Sequence, residues 1–295
     1  MRYGAIDIGS NAVRLMVKEI REEAGELRSD KVAYTRIPIR LGEDVFETGR
    51  ISPAKQEALT RAIEAFRLLF ESMEVADYRA CATSAMREAE NGPEVVAAIR
   101  ERTGVDIEVI RGREEADLIF SNFSIAALDR NQDYLYVDVG GGSTELPLIR
   151  QGERIAAKSF RIGSVRLLKD KVNPKVLKDM KRWCRDLVAE YGVESPVVIG
   201  SGGNINRLYK LAGGVGKKPI HKADLEATHA QLQAASHAEK LDRFGLKPDR
   251  ADVIVPACRI YLDAMALLGA DTVIVPKVGL GDGMVLQLHR DRQGA

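Results

Sequence analysis

A chain of 295 residues suggests about two domains, and its 45% of hydrophobic residues suffices for a core in each, so disorder is not expected. Its 44 basic and 43 acidic residues leave a net charge of +1, which gives no global field for binding nucleic acid or a membrane. Three widely spaced cysteines predict buried thiols in a reducing compartment, not disulfides or a zinc site. The N-terminus lacks a signal-peptide apolar core and no stretch approaches about 20 apolar residues, so we expect a cytoplasmic protein.

The first half of the chain alternates between strand and helix patterns. Residues rich in β-branched and alternating apolar side chains predict the strands Tyr3–Asp7, Val13–Ile20, Lys31–Leu41, Tyr78–Thr83 and Val105–Ile110. Start signals predict helices after Ser52, after Gly92, and from Glu114 to about Leu128. The order is three strands, helix, strand, helix, strand, helix, which is one compact α/β unit.

The second half repeats this order. Its predicted strands are Tyr134–Asp138, Thr144–Arg150, Arg154–Phe160, Val197–Ile199 and Asp271–Val275. Its predicted helices cover about Val165–Asp170, Pro174–Tyr191, Lys222–His237 and Arg250–Leu268, and a closing helix follows Gly279–Gly283. Pro256 is expected to kink the fourth of these helices. The predicted boundary near residues 128 to 133 divides the chain into domains 1–130 and 131–295, with the last helix packing back on the first domain as an alternative.

A glycine-rich loop follows the strand Tyr134–Asp138. Its glycines Gly140, Gly141 and Gly142 allow a tight turn that brings consecutive N–H groups close to an anion, and phosphate is the expected ligand. Asp138 and Glu145 place two carboxylates beside these donors, and hard oxygen ligands next to phosphate suit Mg²⁺. The alternative is a glycine-rich hairpin turn with an incidental acid at each end.

The N-terminus carries the same pattern a second time. Residues Tyr3 to Asn11 repeat the order of strand, Asp7, apolar residue, Gly9 and a small hydroxyl residue. Two further loops, 83–87 and 200–204, also follow predicted strands. Because ligands gather at strand ends in α/β sheets, we expect a cleft between the two halves to collect all four loops.

The motifs of this chain resemble those of the exopolyphosphatase and guanosine pentaphosphate phosphatase family. The matching motifs are Asp7-Ile8-Gly9-Ser10-Asn11, Ala82-Thr83-Ser84-Ala85-Met86-Arg87-Glu88, Gly112-Arg113-Glu114-Glu115-Ala116, Asp138-Val139-Gly140-Gly141-Gly142-Ser143-Thr144-Glu145, Ile162-Gly163-Ser164-Val165-Arg166-Leu167 and Arg250-Ala251-Asp252. They span most of the chain in the family's order. The family belongs to a larger group shared with actin, sugar kinases and heat-shock chaperone ATPases. The resemblance therefore implies two duplicated ribonuclease H-like domains, with mixed five-stranded sheets and flanking helices, around an interdomain cleft.

The resemblance also implies an activity and roles for individual residues. It implies that activated water cleaves a terminal phosphoanhydride, with Mg²⁺ or Mn²⁺ as cofactor. Glu115 matches the family's general base, Arg87 matches a residue that grips the phosphate, and Asp138 and Glu145 match metal-associated acids. The predicted substrate contacts are Ser10, Asn11, Arg87, Gly140, Gly141, Gly142 and Ser143. A homodimer is expected from the resemblance alone.

The charged residues also have plainer interpretations. Glu115 lies in the first turn of its predicted helix, where the macrodipole favours the ionised, base-competent form, but Glu114 and Glu115 also simply complement a helix N-terminus. Arg87 either grips phosphate with its guanidinium fork or forms a surface ion pair with neighbouring acids. Asp7 either holds the metal together with Asp138 or caps its own turn. Four cations have two interpretations, a track for a polyanion or a solvated helix face, and the second is preferred for most of them; they are Arg161, Arg166, Lys169 and Lys171.

The sequence therefore predicts a Mg²⁺-dependent phosphoanhydride hydrolase. Its predicted substrate is inorganic polyphosphate, with guanosine pentaphosphate as a second substrate. Two rivals stay open at this point. One is an ATP-dependent small-molecule kinase, because the same fold hosts kinases, and the other is a non-catalytic sensor of a phosphorylated ligand. Glu115 separates hydrolase from kinase, since only a hydrolase needs a carboxylate beside the terminal phosphate to activate water.

Overall fold

The computed structural model describes residues 1–23, 26–121, 129–216 and 218–294, and the chain divides into two compact units. The first unit comprises Met1–Ala126 with Gly279–Ala295, and the second comprises Ala127–Val278. The closing helix, which the predicted boundaries 1–130 and 131–295 assign to the second half, thus belongs to the first unit. Residue 128, at the start of the predicted boundary, lies outside the described residues. The mixed α/β class with two sheets is confirmed.

The first unit is a five-stranded sheet with helices on it. In chain order it contains β1 (Arg2–Ile8), β2 (Val13–Glu23), β3 (Glu26–Ile37), α1 (Leu41–Thr48), α2 (Pro53–Ser72), β4 (Asp77–Ala82), α3 (Ser84–Glu88), α4 (Gly92–Thr103), β5 (Glu108–Val109) and α5 (Gly112–Ser121). The strand order is β3-β2-β1-β4-β5, in which β1 is antiparallel to β2 and parallel to β4. Both loops that follow β1 and β4 therefore leave the sheet at one edge. The predicted continuation of α5 to about Leu128 lies outside the described residues.

Helix α2 begins where the sequence predicts. Ser52 is its extended N-cap residue and Pro53 occupies the first turn, where the missing N–H of proline costs nothing. Its apolar residues recur at helical spacing and are buried on one face, at Leu59, Ala62, Ile63, Phe66 and Phe70.

The predicted strand Lys31–Leu41 is displaced toward the C-terminus, because the observed strand β3 begins earlier, at Glu26. The strand ends at Ile37, and Arg40 adopts the left-handed conformation at φ 60° and ψ 44°, which breaks the extended chain. Leu41 then opens α1, and the N–H of Gly42 donates to the carbonyl of Ser10 at 2.8 Å. This contact places the start of α1 against the loop that follows β1, and alternation along the strand does not encode it.

The second unit is built on a larger sheet. In chain order it contains β6 (Tyr134–Val139), β7 (Thr144–Arg150), β8 (Glu153–Phe160), α6 (Ser164–Leu168), α7 (Pro174–Tyr191), β9 (Val197–Ser201), α8 (Gly203–Leu211), β10 (Ile220–His221), α9 (Lys222–Ala234), α10 (His237–Asp242), α11 (Pro248–Ala251), α12 (Ile254–Leu268) and β11 (Thr272–Ile274). The strand order is β10-β11-β9-β6-β7-β8, so β10 adds a sixth strand to the five that were expected. As in the first unit, the first strand is antiparallel to the second and parallel to the fourth.

Helix α12 is the central helix of the second unit. Its buried residues, Ile254, Ala257, Cys258, Ile260, Tyr261, Ala264, Met265 and Leu268, belong to one hydrophobic core. The predicted kink at Pro256 is wrong. The helical stretch is instead interrupted between Ala251 and Ile254, so Pro256 falls in the first turn of α12, where no backbone N–H is needed.

The closing helix α13 (Leu280–Gln293) completes the first unit, where it packs on α5 and on strands β1, β2 and β4. Lys18 on β2 forms an ion pair with Asp282 at 2.5 Å, and both side chains are largely buried. Gly283 faces the carbonyl group of Leu118 on α5 so closely that a Cβ atom has no room there. Among the described helices none combines the length and the apolar character of a membrane span.

Candidate active site

The glycine loop joins β6 to β7 and is anchored through its carbonyl groups to the start of α6. The carbonyl of Gly140 accepts the N–H of Ser164 at 2.9 Å and its hydroxyl at 3.2 Å. The carbonyl of Gly141 accepts the N–H groups of Val165 and Arg166 at 2.9 and 3.1 Å. The next carbonyl in the loop accepts Nε of Arg166 at 3.0 Å. All three glycine carbonyls therefore face α6.

The N–H groups of the loop are available on its other side. Gly140 closes the turn by donating to the carbonyl of Ser143 at 3.0 Å. The next three N–H groups, those of Gly141, Gly142 and Ser143, donate to no acceptor within the described ranges. Successive N–H groups without protein partners form a concavity that binds anions.

Asp138 and Glu145 face each other across the β6–β7 ladder. Directly opposed residues of an antiparallel pair project to the same side of the sheet, with Cβ atoms about 4.5–5.5 Å apart. Glu145 is buried and accepts a hydrogen bond from the hydroxyl of Ser159 at 2.9 Å. Oδ1 of Asp138 stands 3.1 Å from the position a Cβ atom would occupy on Gly202, at the start of α8.

This carboxylate pair fits the cofactor that the resemblance implies. Two acids opposite each other repel, and a divalent cation removes that cost. Mg²⁺ is usually held by one or two carboxylates together with water and substrate phosphates. Within the described part of the chain there is no group of three or more His, Cys, Asp or Glu side chains that could hold a metal. A cation at Asp138 and Glu145 would therefore need its remaining ligands from water or from a phosphate.

Two residues outside the predicted site support this loop. Arg166, interpreted there as part of a solvated helix face, is buried and binds the loop carbonyl described above. Tyr261 on α12 is fully buried, and its hydroxyl donates to the carbonyl of Ser201 at 2.5 Å. Burial raises the pKa of Tyr261 well above its usual range, and the Asp138 carboxylate raises it further, so the phenol keeps its proton. Tyr261 has no local sequence signal for this role, whereas Arg166 lies in the motif 162–167 that resembles the family.

In the first unit, the loop after β1 is tied to the loop after β4. Ser10 is buried, and its hydroxyl shares a hydrogen bond with the hydroxyl of Ser84 at 2.9 Å. Asn11 is half-buried, and its carbonyl accepts the N–H of Arg40 at 3.1 Å. The two strand ends are thus joined through side chains.

Asp7 has a partner that neither of its predicted roles includes. It lies opposite Arg14 in the β1–β2 ladder, and Oδ2 of Asp7 accepts Nη1 of Arg14 at 2.5 Å. The Asp7 side chain is 14% exposed. Asp7 belongs to the first unit, whereas Asp138 and Glu145 belong to the second.

Arg87 is held at the start of α5. It is half-buried, and Nη1 donates to the carbonyl of Ile110 at 2.6 Å, just before the helix that carries Glu115. The alternative of a surface ion pair is wrong for this residue, since it forms none with a described residue. The contact leaves most of the five N–H donors of a guanidinium for other partners.

The two acids in the first turn of α5 differ in their surroundings. Glu114 is exposed and pairs with Arg79 at 2.9 Å, and Arg79 also binds both carboxylate oxygens of Glu108. Glu115 is half-buried, and its N–H donates to the carbonyl of Arg111 at 2.9 Å. Of the two, Glu114 is the acid committed to a surface ion-pair network.

Comparison with known proteins assigns the chain to a family. The sequence model described as the Ppx/GppA phosphatase family matches residues 19–291. Exopolyphosphatase 1 of Mycobacterium tuberculosis is 26% identical over 310 residues, which covers 97% of this chain and 88% of that protein. Guanosine-5'-triphosphate,3'-diphosphate pyrophosphatase of Vibrio parahaemolyticus is 27% identical over 301 residues, which covers 97% of this chain and 59% of that protein.

Solved structures agree on the fold. The crystal structure of an exopolyphosphatase from Cytophaga hutchinsonii matches with a TM-score of 0.82 at 23% identity, covering 100% of this chain and 99% of that one. The Aquifex aeolicus member of the Ppx/GppA family matches with a TM-score of 0.78 at 24% identity, with the same coverage. The resemblance in the sequence motifs is thereby confirmed: the chain belongs to the Ppx/GppA phosphatase family of phosphoanhydride hydrolases.

Proposed function

We propose that this protein removes terminal phosphates from inorganic polyphosphate in a Mg²⁺-dependent reaction, with guanosine pentaphosphate as a second substrate. The observation that carries the proposal is the glycine loop of the second unit. Its three glycine carbonyls are bound to the start of α6, and the three consecutive N–H groups of Gly141, Gly142 and Ser143 have no acceptor among the described residues. A chain of phosphates supplies the acceptors that such a loop lacks.

The names of the relatives support the choice of substrate. One relative is an exopolyphosphatase and another is a guanosine-5'-triphosphate,3'-diphosphate pyrophosphatase. Both substrates end in a phosphoanhydride with a terminal phosphate, so one loop and one base serve both.

The proposed division of labour takes its roles from the family resemblance and its contacts from each unit by itself. Asp138 and Glu145 would hold Mg²⁺, which when bound would offset the negative charge on the phosphate oxygens. Arg87, fixed by the carbonyl of Ile110, directs its other guanidinium donors to the phosphate. Glu115, in the first turn of α5, accepts a proton from the attacking water at its carboxylate. Phosphoryl transfer needs chiefly such positioning and charge stabilisation.

The test compares Glu115→Gln with Glu114→Gln. The two variants remove the same charge from the same helical turn, and only Glu115 has the proposed catalytic role. We expect Glu115→Gln to lower kcat by about 10²–10⁴-fold, the usual contribution of a general base, while ligand affinity is kept. Glu114→Gln loses only a surface ion pair worth about 0–1 kcal/mol and keeps its turnover.

The measurement is phosphate release from polyphosphate, guanosine pentaphosphate and ATP, with tripolyphosphate binding followed by calorimetry. Equal turnover by Glu115→Gln and the wild type removes Glu115 from the role of base. Phosphate transfer from ATP to a small molecule identifies a kinase, and tight binding without turnover by the wild type identifies a sensor. Either result overturns the proposed function.

A further inference from the structure

The hydroxyl group of Tyr261 lies at the end of the two central strands of the second unit. Tyr261 projects from the buried face of α12 and is fully buried. Its hydroxyl donates to the carbonyl of Ser201 on β9 at 2.5 Å. The same oxygen accepts the N–H of Val139 on β6 at 3.4 Å. One hydroxyl therefore contacts the backbone of both strands.

These two contacts fall where the sheet stops and the glycine loop begins. In the parallel β6–β9 ladder, Asp138 and Ser201 are the last paired residues. Val139 follows Asp138 directly and precedes Gly140. Beyond this pair no ladder contact between β6 and β9 holds the strand ends together, so the phenol acts as the final cross-link.

The spacing of these strand ends determines where Asp138 stands. Its Oδ1 lies against Gly202, with only 3.1 Å to the position a Cβ atom would take there. Gly202 has φ 101°, a conformation that residues with a side chain rarely adopt, and it leads directly into α8. If the ends of β6 and β9 move apart, Asp138 loses this position and the start of the loop moves with it.

We propose that Tyr261 is a positioning residue of the phosphate and metal site. Its hydroxyl fixes the distance between the ends of β6 and β9, and thereby orients the Asp138 carboxylate and the first turn of the glycine loop. Tyr261 acts through the backbone of Ser201 and Val139 and does not itself contact the substrate. The inference rests on the proposed function, because it assigns the loop and Asp138 to ligand binding.

The test is Tyr261→Phe, with Tyr209→Phe as its matched control. Tyr209 is also a buried tyrosine of the second unit, and its hydroxyl donates to the carbonyls of Lys218 at 2.7 Å and Val215 at 3.1 Å, in another loop. Each variant keeps the aromatic ring and removes one hydroxyl that forms hydrogen bonds with the backbone. Only Tyr261→Phe removes a contact next to Asp138.

Two readouts separate positioning from stability. The first is the affinity for tripolyphosphate in the presence of Mg²⁺, measured by calorimetry with each tyrosine variant placed in the Glu115→Gln background, in which turnover is blocked. The second is the Mg²⁺ concentration that gives half-maximal phosphate release. We expect Tyr261→Phe to weaken both by about tenfold, the effect of one misplaced hydrogen-bonded group, while Tyr209→Phe stays within about twofold of the wild type. Thermal unfolding of both variants is measured alongside.

Several results overturn the inference. The inference fails if Tyr261→Phe has the same tripolyphosphate affinity and Mg²⁺ dependence as the wild type. It also fails if Tyr209→Phe loses as much affinity as Tyr261→Phe, because an equal loss indicates that removing either hydroxyl loosens the whole unit. A lower melting temperature of Tyr261→Phe with unchanged ligand binding assigns the hydroxyl to stability alone. If the wild type binds tripolyphosphate without hydrolysing it, the proposed function fails, but the affinity comparison still decides the role of Tyr261.

Discussion

Replacing Gly283 by alanine tests how closely α13 supports the helix that carries Glu115. A Cβ atom at Gly283 would stand 2.6 Å from the carbonyl carbon of Leu118 and closer still to its oxygen. Carbon atoms in contact are separated by about 3.5–4.0 Å, so α5 and α13 must move apart by about 1 Å. Because both colliding groups are fixed by helical backbone, no side-chain rotation relieves the clash.

The expected cost follows from two opposing effects. Overpacking of a core contact costs about 1–3 kcal/mol, and the upper end applies where backbone meets backbone. Alanine is favoured over glycine in a helix by up to about 1 kcal/mol, so the net loss of stability is about 2 kcal/mol. At about 2–4 °C per kcal/mol for chains of this size, the melting temperature falls by roughly 4–8 °C. Glu115 lies one turn before Leu118, and a displacement of about 1 Å can lower kcat by about 10²-fold.

Gly281→Ala is the control, because it makes the same change in the same helix. A Cβ atom at Gly281 would meet the terminal methyl of Met16 at 3.0 Å and the Cβ of Ala5 at 3.6 Å. The methionine end can rotate away, so we expect stability within about 1 kcal/mol of the wild type. The assay is thermal and urea unfolding with phosphate release in parallel. If Gly283→Ala is as stable and as active as Gly281→Ala, the close contact between α13 and α5 is not as described.

Two further predictions concern buried titratable groups. His289 on α13 is 9% exposed, neither ring nitrogen has a hydrogen-bond partner among the described residues, and burial lowers its pKa. His289 therefore binds a proton more readily in the unfolded chain than in the folded protein. The folded protein keeps its full stability above about pH 6.5, where His289 is neutral, and loses stability as the pH falls below that value. His289→Leu should reduce the fall in unfolding free energy between pH 7.5 and 5.5, and an unchanged fall contradicts this. Burial also raises the pKa of three thiols, those of Cys81, Cys184 and Cys258, to about 12. The native protein should therefore resist alkylation at pH 8 until it unfolds. Rapid labelling of the native protein, detected by mass spectrometry, contradicts this prediction.

Local signals in the sequence were enough to predict most element boundaries. The Ser52-Pro53 start of α2 and the glycine after α4 act within one turn of the helix they limit, so they can be read without tertiary information. The predicted strand through Leu41 failed because its end depends on the left-handed Arg40 and on packing against Ser10. The edge strand β10, which widens the second sheet to six strands, has only two residues and therefore shows no periodicity.

In the candidate site, too, local sequence does not reveal the features that depend on tertiary contacts. The glycine loop and its two flanking acids are contiguous, so the sequence presents them together. Arg79, which lies far away in the chain, pairs with Glu114, and no local signal in the sequence announces this ion pair. Tyr261 reaches Val139 across 122 positions, and an apolar helix with one tyrosine gives no sign of that contact. Contacts of this kind exist only once the sheet has formed.

The place of α13 in the chain has a consequence for biosynthesis. This helix follows the entire second unit in sequence, yet its Asp282 neutralises Lys18 on β2 and its Gly283 packs against α5. The ribosome releases β2 and α5 long before α13 emerges. During translation Lys18 therefore lacks its counter-charge, and the face of α5 that later packs on α13 is exposed to solvent. The nascent first unit therefore cannot complete its native core until the second unit has been synthesised, and a chain cut short before α13 should be recognised by cellular quality control.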